Sequence, residues 1–229
     1  MGKLSIVATP IGNLEDITLR ALRTLKECDV IYAEDTRVTS KLLAKYELKK
    51  PLERLDAITE TKKAKEVIAR LESGEHVVLV SDAGTPGISD PGARLVRAVQ
   101  EHTYKLENVG MTIEAVPGPS ALTAALSIAG LDAAEFTFLG FLPHKKGRQT
   151  AIKKIAASEI PVVLYESPHR VLKLLKELEA LVGARVTLAR ELTKIHEEVI
   201  SGTPSELLYE FASRPEQRRR GEFVVIIEP

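Results

Sequence analysis

The sequence predicts an α/β protein built from two α/β domains, the first with a mainly parallel sheet and the second with a mixed sheet. Short apolar runs recur along the chain, and each ends in a turn followed by a helix-like segment, which is the order typical of strands joined by helices. The 229 residues suffice for two small domains, and 44% hydrophobic residues supply their cores. We place the domains at residues 1–120 and 121–229, with the boundary within 118–132.

In the first half, four apolar runs predict strands at residues 4–8, 30–33, 77–80 and 113–116. Helices are predicted at residues 18–27, 39–46, 61–73 and 121–130. Asp16 or Thr18 can cap the first helix, whose apolar side chains recur at helical spacing. Gly74 follows the third as a terminating residue. Asp90 and Pro91 form an N-cap and first-turn pair, which predicts another helix after them.

In the second half, strands are predicted at residues 135–140, 161–166, 185–190, 197–201 and 223–227. The strands at 185–190 and 197–201 are expected to be neighbours. Helices are predicted at residues 149–157, 168–181 and 204–212. Thr203 and Glu206 form a capping box with Pro204 at the first helical position, which indicates where the last helix begins.

Composition excludes several classes of function. The 32 basic and 32 acidic side chains give no net charge, which argues against bulk coating of nucleic acid. The single cysteine, Cys28, excludes an internal disulfide, and its acidic neighbours favour an inert thiol. The histidines lack metal-binding spacing, so no metal is expected. No apolar run reaches the roughly 18 residues that cross a bilayer, and no secretion signal precedes the first strand, so we expect a cytoplasmic protein without a membrane partner.

Three of the predicted strands end in turns rich in glycine and proline, at residues 9–13, 81–92 and 117–121. Ligands of open parallel sheets bind beyond the carboxyl ends of the strands. Because glycine lacks a Cβ, the backbone of such turns can approach a ligand closely. The three turns therefore predict a ligand site, with plain strand-to-helix turns as the alternative. Dinucleotide and Walker phosphate-binding loops and the nucleophile elbow are absent from the sequence.

Eight short blocks in this order resemble the class III S-adenosylmethionine-dependent methyltransferases of the tetrapyrrole methylase type, in particular those that act on ribosomal RNA. The blocks are TPIGNL (9–14), AEDTR (33–37), VSDAGTP (80–86), DPG (90–92), VPGPSA (116–121), GFLP (140–143), YESPHR (165–170) and ARELTK (189–194). Together they cover essentially the whole chain. Two segments depart from the family. Residues 58–60 read Ile-Thr-Glu where members have a His-Asn-Glu-like stretch, and residues 102–111 look like an insertion that we expect to form a surface loop or hairpin.

The resemblance implies two α/β domains of the tetrapyrrole methylase type, with S-adenosylmethionine in the cleft between them, and a homodimer. It also implies the reaction, which is transfer of a methyl group to the ribose 2′-oxygen of a cytidine in small-subunit (16S) rRNA near the decoding centre. The substrate RNA is expected to be part of the ribosomal particle.

The cofactor is assigned to the three turns and to one segment of the second domain. A helix N-terminus at Ser120 and Ala121 would contact the methionine carboxylate, because free N–H groups there suit an anion. Tyr165 and Glu166 would close over the nucleoside. The full expected set is Pro10, Ile11, Gly12, Asp82, Ala83, Gly84, Thr85, Ile88, Ser120, Ala121, Tyr165 and Glu166.

Catalytic groups are expected where two predicted strands end. A ribose hydroxyl is a weak nucleophile whose proton must leave, and a nearby cation would stabilise the developing alkoxide. Glu34 is one candidate carboxylate. The other expected residues are Asp35, Arg37, Glu191 and Lys194. The structural alternatives are a helix cap with a charge cluster for Asp35 and Arg37, and an inter-domain salt-bridge network for Glu191 and Lys194.

RNA contact is expected in a basic stretch that contains no acidic residue between Thr137 and Ser158. Its loop carries Lys145, Lys146 and Arg148, which we assign to RNA phosphates. The alternative is a solvated loop and helix face. For the second basic run, at 218–220, a solvated turn is the favoured interpretation.

Two other functions remain open from the sequence. One is a methyltransferase of the same superfamily that acts on a small molecule such as a corrin or porphyrin precursor. The basic stretch around Lys145 and the AEDTR block disfavour it. The other is a catalytically silent RNA-binding or assembly factor, which the intact cofactor blocks disfavour.

Overall fold

The computed structural model describes residues 1–105, 110–181 and 183–229. The chain forms two compact units, the first over Met1–Ser120 and the second over Ala121–Pro229. Each unit has its own five-stranded sheet and its own hydrophobic core. None of the described helices is long and apolar enough to cross a membrane.

The first unit contains a sheet with the strand order β3-β2-β4-β1-β5, in which every pair is parallel. Its strands are β1 (Lys3–Val7), β2 (Val30–Ala33), β3 (Leu52–Arg54), β4 (His76–Val80) and β5 (Thr112–Val116). Its helices are α1 (Leu19–Glu27), α2 (Thr36–Lys45), α3 (Glu60–Glu72) and α4 (Ala93–Lys105). The mainly parallel sheet predicted from the sequence is therefore confirmed.

Two apolar clusters form the core of the first unit, and each combines strand and helix side chains. Leu4 of β1 packs in one cluster with Val67 of α3 and Leu95 of α4. Val7, two positions beyond Ser5 on β1, belongs to the other cluster together with Leu25 of α1. Because apolar groups of helices cover the sheet on two sides, its central strands are mostly apolar, and all four residues of β2 are buried.

The second unit contains a mixed sheet with the strand order β6-β7-β10-β8-β9, in which only the described pair β6 and β7 is parallel. Its strands are β6 (Thr137–Phe141), β7 (Val162–Glu166), β8 (Arg185–Arg190), β9 (Glu198–Gly202) and β10 (Phe223–Glu228). Its helices are α5 (Ala121–Ile128), α6 (Arg148–Ala156), α7 (Val171–Leu178), α8 (Pro204–Ser213) and α9 (Glu216–Arg219). The expected mixed sheet and the expected β8 and β9 pair are confirmed.

The start of α8 follows the predicted chemistry. The Thr203 hydroxyl accepts the backbone N–H of Glu206, and the Glu206 carboxylate accepts the backbone N–H of Thr203 at 2.8 Å. This confirms the capping box. In the core, Leu207 and Phe211 of α8 pack with apolar residues of α7 and the central strands.

Helix starts show where the sequence patterns were misleading. Helix α2 begins at Thr36, earlier than predicted, because the Asp35 side chain accepts the backbone N–H of Arg37 and caps it. The predicted cap of α4 by Asp90 is wrong, since α4 begins at Ala93 and the Glu60 carboxylate accepts N–H groups there. The three-residue β3, which is only partly buried, was not predicted.

Two further predictions need correction. Residues 102–105 continue α4, so they are not a surface loop or hairpin, and Met111 is buried in the core. The rest of that predicted insertion includes 106–109, which lie outside the described residues. In the basic run at 218–220, α9 forms a short helix where a solvated turn was expected.

Candidate functional site

The turns after β1 and β4 are joined directly at the carboxyl edge of the first unit's sheet. Thr9 and Gly84 exchange two backbone hydrogen bonds of 2.9 Å, as in an isolated antiparallel bridge. The Thr9 hydroxyl also donates to the Ser81 carbonyl at 3.1 Å. These three bonds fix the positions of the two turns, which carry eight of the twelve residues assigned to the cofactor.

The third turn, after β5, reaches the same place. The Thr85 hydroxyl donates to the Pro119 carbonyl at 3.4 Å. Gly84 has a φ of +78°, and a Cβ added there would lie 3.4 Å from Ile11 Cγ2 and 3.7 Å from the Pro119 oxygen. The positive φ is what requires glycine at this junction, because the added Cβ would make only ordinary van der Waals contacts. The structure thus brings together the three turns that the sequence singled out.

The predicted cofactor residues of the first unit differ in exposure. Pro10, Ile11 and Gly84 are buried at the junction, whereas Gly12, Ala83 and Ile88 are exposed and Asp82, Thr85 and Ser120 are partly buried. Ile88 borders a largely apolar cavity of about 380 Å³ beside α4. Ala121, the first residue of the second unit, is also the first residue of α5.

The two predicted cofactor residues on β7 have unlike surroundings. Tyr165 is partly exposed, and its ring makes edge contacts with Phe138 and Phe141 at centroid distances of 5.0 and 5.5 Å. Glu166 is 1% exposed. Its carboxylate pairs with Arg170 at 2.7 Å and accepts the Ser167 N–H at 2.8 Å. The Glu166 side chain is thus engaged inside the unit, and only Tyr165 presents a side chain for a ligand.

Acidic side chains gather at the same edge of the first unit. The Asp82 carboxylate accepts the backbone N–H of Asp35 at 2.9 Å. The pKa of Glu34 is raised, first by burial and then by the negative charges of Asp90 and Asp82. Burial raises the pKa of Asp90 to about 6. No group of histidine, cysteine and acidic residues able to hold a metal ion occurs in the described part of the chain.

Asp35 and Arg37 form a local pair, which is the geometry of the helix-cap alternative. The Arg37 Nε donates to both carboxylate oxygens of Asp35, at 2.9 and 3.1 Å. This hydrogen bonding lowers the pKa of Asp35 to about 2. Arg37 itself is largely exposed, with 86% of its side chain accessible. A carboxyl group with so low a pKa is a weak base, so Arg37 is the more capable member of the pair.

Glu191 and Lys194 are joined by a salt bridge within the second unit. Lys194 Nζ lies 2.9 Å from Glu191 and 2.8 Å from Glu222. Burial raises the pKa of Glu191, but the bonds from Lys194 and the Glu222 N–H outweigh it and leave the pKa below its usual value. Glu191 has a φ of +51°. Both carboxylate partners of Lys194 belong to this unit, so the network is local rather than the inter-domain one considered above.

The basic loop divides into exposed and buried members. Lys145 and Lys146 are exposed. Arg148 is 3% exposed, and its guanidinium pairs with Glu177 at 2.8 Å and lies 3.7 Å from Glu166. The assignment of Arg148 to RNA phosphate does not agree with this burial, because its charge is already neutralised by carboxylates inside the unit.

Two residues that the sequence analysis did not assign to the site help to shape it. Glu60, 4% exposed, accepts the N–H groups of Gly92, Arg94 and Leu95 at 2.8–3.0 Å and so ties the turn after β4 to α3. Asp90 adds a half-buried carboxyl to the turn. A signal for Glu60 was present, since it is the acidic residue of the stretch 58–60 that departs from the family in its other two positions. Burial also raises the pKa of Cys28 to about 11, which agrees with an inert thiol.

Comparison with known sequences identifies the family. The model of the Tetrapyrrole (Corrin/Porphyrin) Methylases matches residues 3–208. The chain is 44% identical to ribosomal RNA small subunit methyltransferase I of Thermotoga maritima, over 99% of this chain and 98% of that relative. It is 46% identical to the protein of that name from Escherichia coli O157:H7, over 99% of this chain and 78% of the relative. The resemblance stated from the eight blocks is confirmed.

Solved structures agree on the fold. Diphthine synthase has a TM-score of 0.72 at 16% identity, covering 100% of this chain and 90% of its own. The methyltransferase CobJ has a TM-score of 0.68 at 19% identity, covering 100% and 94%. The predicted α/β fold of the tetrapyrrole methylase type is confirmed, and the protein is a methyltransferase. The chain belongs to the tetrapyrrole (corrin/porphyrin) methylase family.

Proposed function

We propose that this methyltransferase uses S-adenosylmethionine to methylate the ribose 2′-oxygen of a cytidine in small-subunit rRNA. The observation that carries the proposal is the junction of three glycine- and proline-rich turns at one sheet edge, in a chain whose relatives are named for small-subunit rRNA methylation. A substrate within the small ribosomal subunit places the enzyme in the cytoplasm, and we propose that it works there as a homodimer.

The junction fits a cationic donor with many polar atoms. Turns fixed by the Thr9 and Gly84 bridge offer backbone N–H and C=O groups, and Gly84 leaves room for close approach. Asp82 and Asp90 add negative charge, which favours a positively charged ligand. We assign cofactor contacts to Pro10, Ile11, Gly12, Asp82, Ala83, Gly84, Thr85, Ser120, Ala121 and Tyr165, and retain Ile88 and Glu166 as backbone or indirect contributors.

The protein must orient the methyl donor and the ribose oxygen, and it must help the hydroxyl proton to leave. When bound, the donor provides a methyl group on a sulfonium sulfur, which is displaced in line by the ribose oxygen. Positioning contributes most of the rate enhancement in such a transfer. The exposed Arg37 and the ammonium of Lys194 are suited to stabilise the oxygen as its proton leaves. Glu34, with its raised pKa, is a stronger base than Asp35, and Glu191 acts by holding Lys194.

RNA binding is assigned to the exposed end of the basic loop. Lys145 and Lys146 are free to approach phosphates, whereas Arg148 is not. We expect replacement of both lysines with glutamine to weaken binding to small ribosomal subunits and to lower the salt slope by about 1.4, because each lost phosphate contact removes about 0.7 from the slope on single strands. Lys62→Gln with Lys65→Gln, at two exposed lysines of α3 outside the basic stretch, is the matched control. An unchanged slope in the first variant would show that RNA docks elsewhere.

Cofactor binding is tested at the junction. Thr85→Tyr places a large ring among the three turns, so we expect calorimetric affinity for S-adenosylmethionine to fall at least about 100-fold, since lost contacts of about 3 kcal/mol correspond to that factor. Thr61→Tyr, at an exposed position of α3, should bind normally. Normal binding by Thr85→Tyr would refute the assignment of the turns.

Two assays separate the alternatives. Labelled methyl groups should appear in the rRNA of small subunits that lack the modification, and no label should enter a free tetrapyrrole. Transfer to the tetrapyrrole alone would establish the small-molecule enzyme. If calorimetry showed no binding of S-adenosylmethionine by the unmodified chain, the silent RNA-binding factor would replace the enzyme.

A further inference from the structure

The second unit contains a cavity that none of the assigned residues uses. It lies between the segment just before and within the first turn of α7 and the short helix α9, and has a volume of about 520 Å³. That size is within the range of small-ligand sites. Its lining is formed by Pro168, His169, Leu172, Glu216, Arg219 and Arg220. Pro168 and His169 belong to the YESPHR block, of which only Tyr165 and Glu166 were given a role.

One wall of the cavity carries cationic groups that lack strong partners. Arg219 is partly buried, and its Nε atom is buried without a hydrogen-bond partner in the described part of the chain. Arg220 is 71% exposed and lies 3.6 Å from the 77% exposed Glu216, an ion pair of little strength in water. A phosphate in the cavity would match the charge and the donor geometry of the guanidinium groups of Arg219 and Arg220, the two arginines that line it.

The facing wall suits a flat, partly apolar group. Pro168 and Leu172 are partly buried, and the ring of His169 is exposed between the two segments. Unpaired RNA bases stack on histidine and aromatic rings and pack against apolar side chains. The cavity thus offers a side suited to a phosphate and a side suited to a base.

Both walls are fixed by the sheet, so the cavity is present before any ligand arrives. Arg190 on β8 donates to the Arg220 carbonyl at 2.6 Å. On the other side, Arg170 pairs with Glu166 at the end of β7 and donates to the Leu142 carbonyl at 3.0 Å. A cavity held in this way needs little reorganisation on binding.

We propose that this cavity binds one unpaired nucleotide of the substrate RNA, with its phosphate on Arg219 and Arg220 and its base against His169 and Pro168. The proposal rests on the proposed function, since it presumes an RNA substrate. It adds a contact distant in sequence from the lysine loop at 145 and 146, and it predicts preference for single-stranded over duplex RNA.

The test compares two neighbouring arginines of one helix. Arg219→Gln removes one of the two arginines that line the cavity, whereas Arg218→Gln makes the same change at an exposed residue that does not line it. With a single-stranded oligonucleotide of the substrate sequence, we expect Arg219→Gln to weaken binding about tenfold and to lower the salt slope by about 0.7. Arg218→Gln should change affinity less than about twofold. Equal effects of the two substitutions would overturn the proposal.

A second variant tests the base-binding wall separately. His169→Ala should weaken binding of the same oligonucleotide severalfold, because it removes the ring against which the base packs, and should leave the salt slope unchanged. A duplex of the same sequence should be insensitive to both substitutions. If inorganic phosphate alone competed as well as the oligonucleotide, the cavity would be a simple anion site and the nucleotide assignment would be wrong.

The outcomes are distinguishable from failure of the proposed function. Binding of S-adenosylmethionine by both arginine variants should equal that of the unmodified chain. Normal methyl transfer with no difference between Arg219→Gln and Arg218→Gln would reject the cavity alone. Absence of methyl transfer to rRNA by the unmodified chain would reject the function, and absence of oligonucleotide binding would reject both.

Discussion

The two units neutralise the carboxylates near their strand ends by different means. In the first unit, carboxylates such as Glu60 and Asp82 accept hydrogen bonds from backbone N–H groups. Glu60 accepts three such groups, and Asp82 accepts one from Asp35. These donors carry no net charge, so Glu60 and Asp82 keep the negative charge of the edge. Asp56 and Asp35 differ from them, because each also pairs with an arginine of the same unit, Arg54 and Arg37.

In the second unit, guanidinium and ammonium groups take that place. Glu166 pairs with Arg170, and Glu177 pairs with Arg148. Glu198 lies 3.2 Å from Arg190 and 2.7 Å from Arg214. The pKa of Glu198 is lowered, chiefly by the hydrogen bonds from Arg214, whereas the pKa of Glu34 in the first unit is raised.

The difference between the two units is consistent with the proposed function. An edge with surplus negative charge favours a positively charged donor, and a unit whose acids are already paired leaves additional cations such as Lys145 and Arg219 for RNA. The paired acids give up their protons at a lower pH than usual, whereas the crowded Glu34 and Asp90 give them up at a higher pH. Removing a cationic partner in the second unit should therefore have a different effect from changing a carboxylate that accepts backbone N–H groups in the first unit.

The largest effect is expected where a buried carboxylate loses its cation. Arg148→Met keeps the length of the side chain but leaves Glu177 and Glu166 without the guanidinium. We expect the second unit to lose about 3–5 kcal/mol of stability, the usual cost of breaking a buried ion pair. Urea denaturation followed by circular dichroism measures it.

Lys153→Met is the matched control, because it removes a cation from the exposed face of the same helix. It should change stability by less than about 0.5 kcal/mol. A loss of that small size in Arg148→Met would show that Glu177 and Glu166 do not need the cation, and the contrast between the units would fail.

The sequence predicted the parallel sheet and the meeting of three turns because both follow from local patterns. Apolar runs define buried strands, and parallel strands place their carboxyl ends at one edge. The sequence did not reveal that Arg148 is buried. The composition of the basic loop does not show whether Glu177, 29 positions away, pairs with this arginine. Burial and pairing of charges depend on long-range contacts that periodicity does not contain.

Glu60 shows the same limit in the first unit. Asp90 and Pro91 satisfied the local rule for a helix start, but the carboxylate that accepts the N–H groups of α4 comes from α3. The predicted cap by Asp90 was chemically reasonable, but in the structure a tertiary contact from Glu60 replaces it. The roles of individual residues in catalysis stay predictions for a similar reason, because proton-transfer groups are defined by geometry around a substrate.

A smaller effect is expected from Glu60→Gln, which tests neutralisation by backbone N–H groups. The amide oxygen can still accept hydrogen bonds, but the charge is lost, so we expect a loss of about 1–2 kcal/mol. The variant should also raise the KM for S-adenosylmethionine more than it lowers kcat, because the turn after β4 is less firmly held.

Glu72→Gln makes the same substitution at an exposed position of α3, where the partner is His102 at 2.8 Å. Its effect on stability and on KM should be close to zero. If Glu60→Gln were equally neutral in both measurements, the N–H groups of Gly92, Arg94 and Leu95 would not depend on this carboxylate.

The smallest effect is a pair of opposite pH dependences within the first unit. The pKa of Asp90 is raised to about 6 by burial, so its protonated form stabilises the fold below about pH 4 and that contribution is lost as the pH rises through about 6. Asp90→Asn should therefore gain stability relative to the parent above pH 6, by about 1 kcal/mol after allowance for partial solvation.

The stability contribution of Asp35, whose pKa is lowered to about 2 by Arg37, depends on pH in the opposite direction. Its contribution is present above about pH 4 and is lost as the pH falls through about 2, so Asp35→Asn should lose stability at neutral pH. Urea midpoints of both variants between pH 3 and 8 measure the two trends. Parallel trends would mean that these neighbouring carboxylates share one environment, which contradicts the separation of a crowded Asp90 from a paired Asp35.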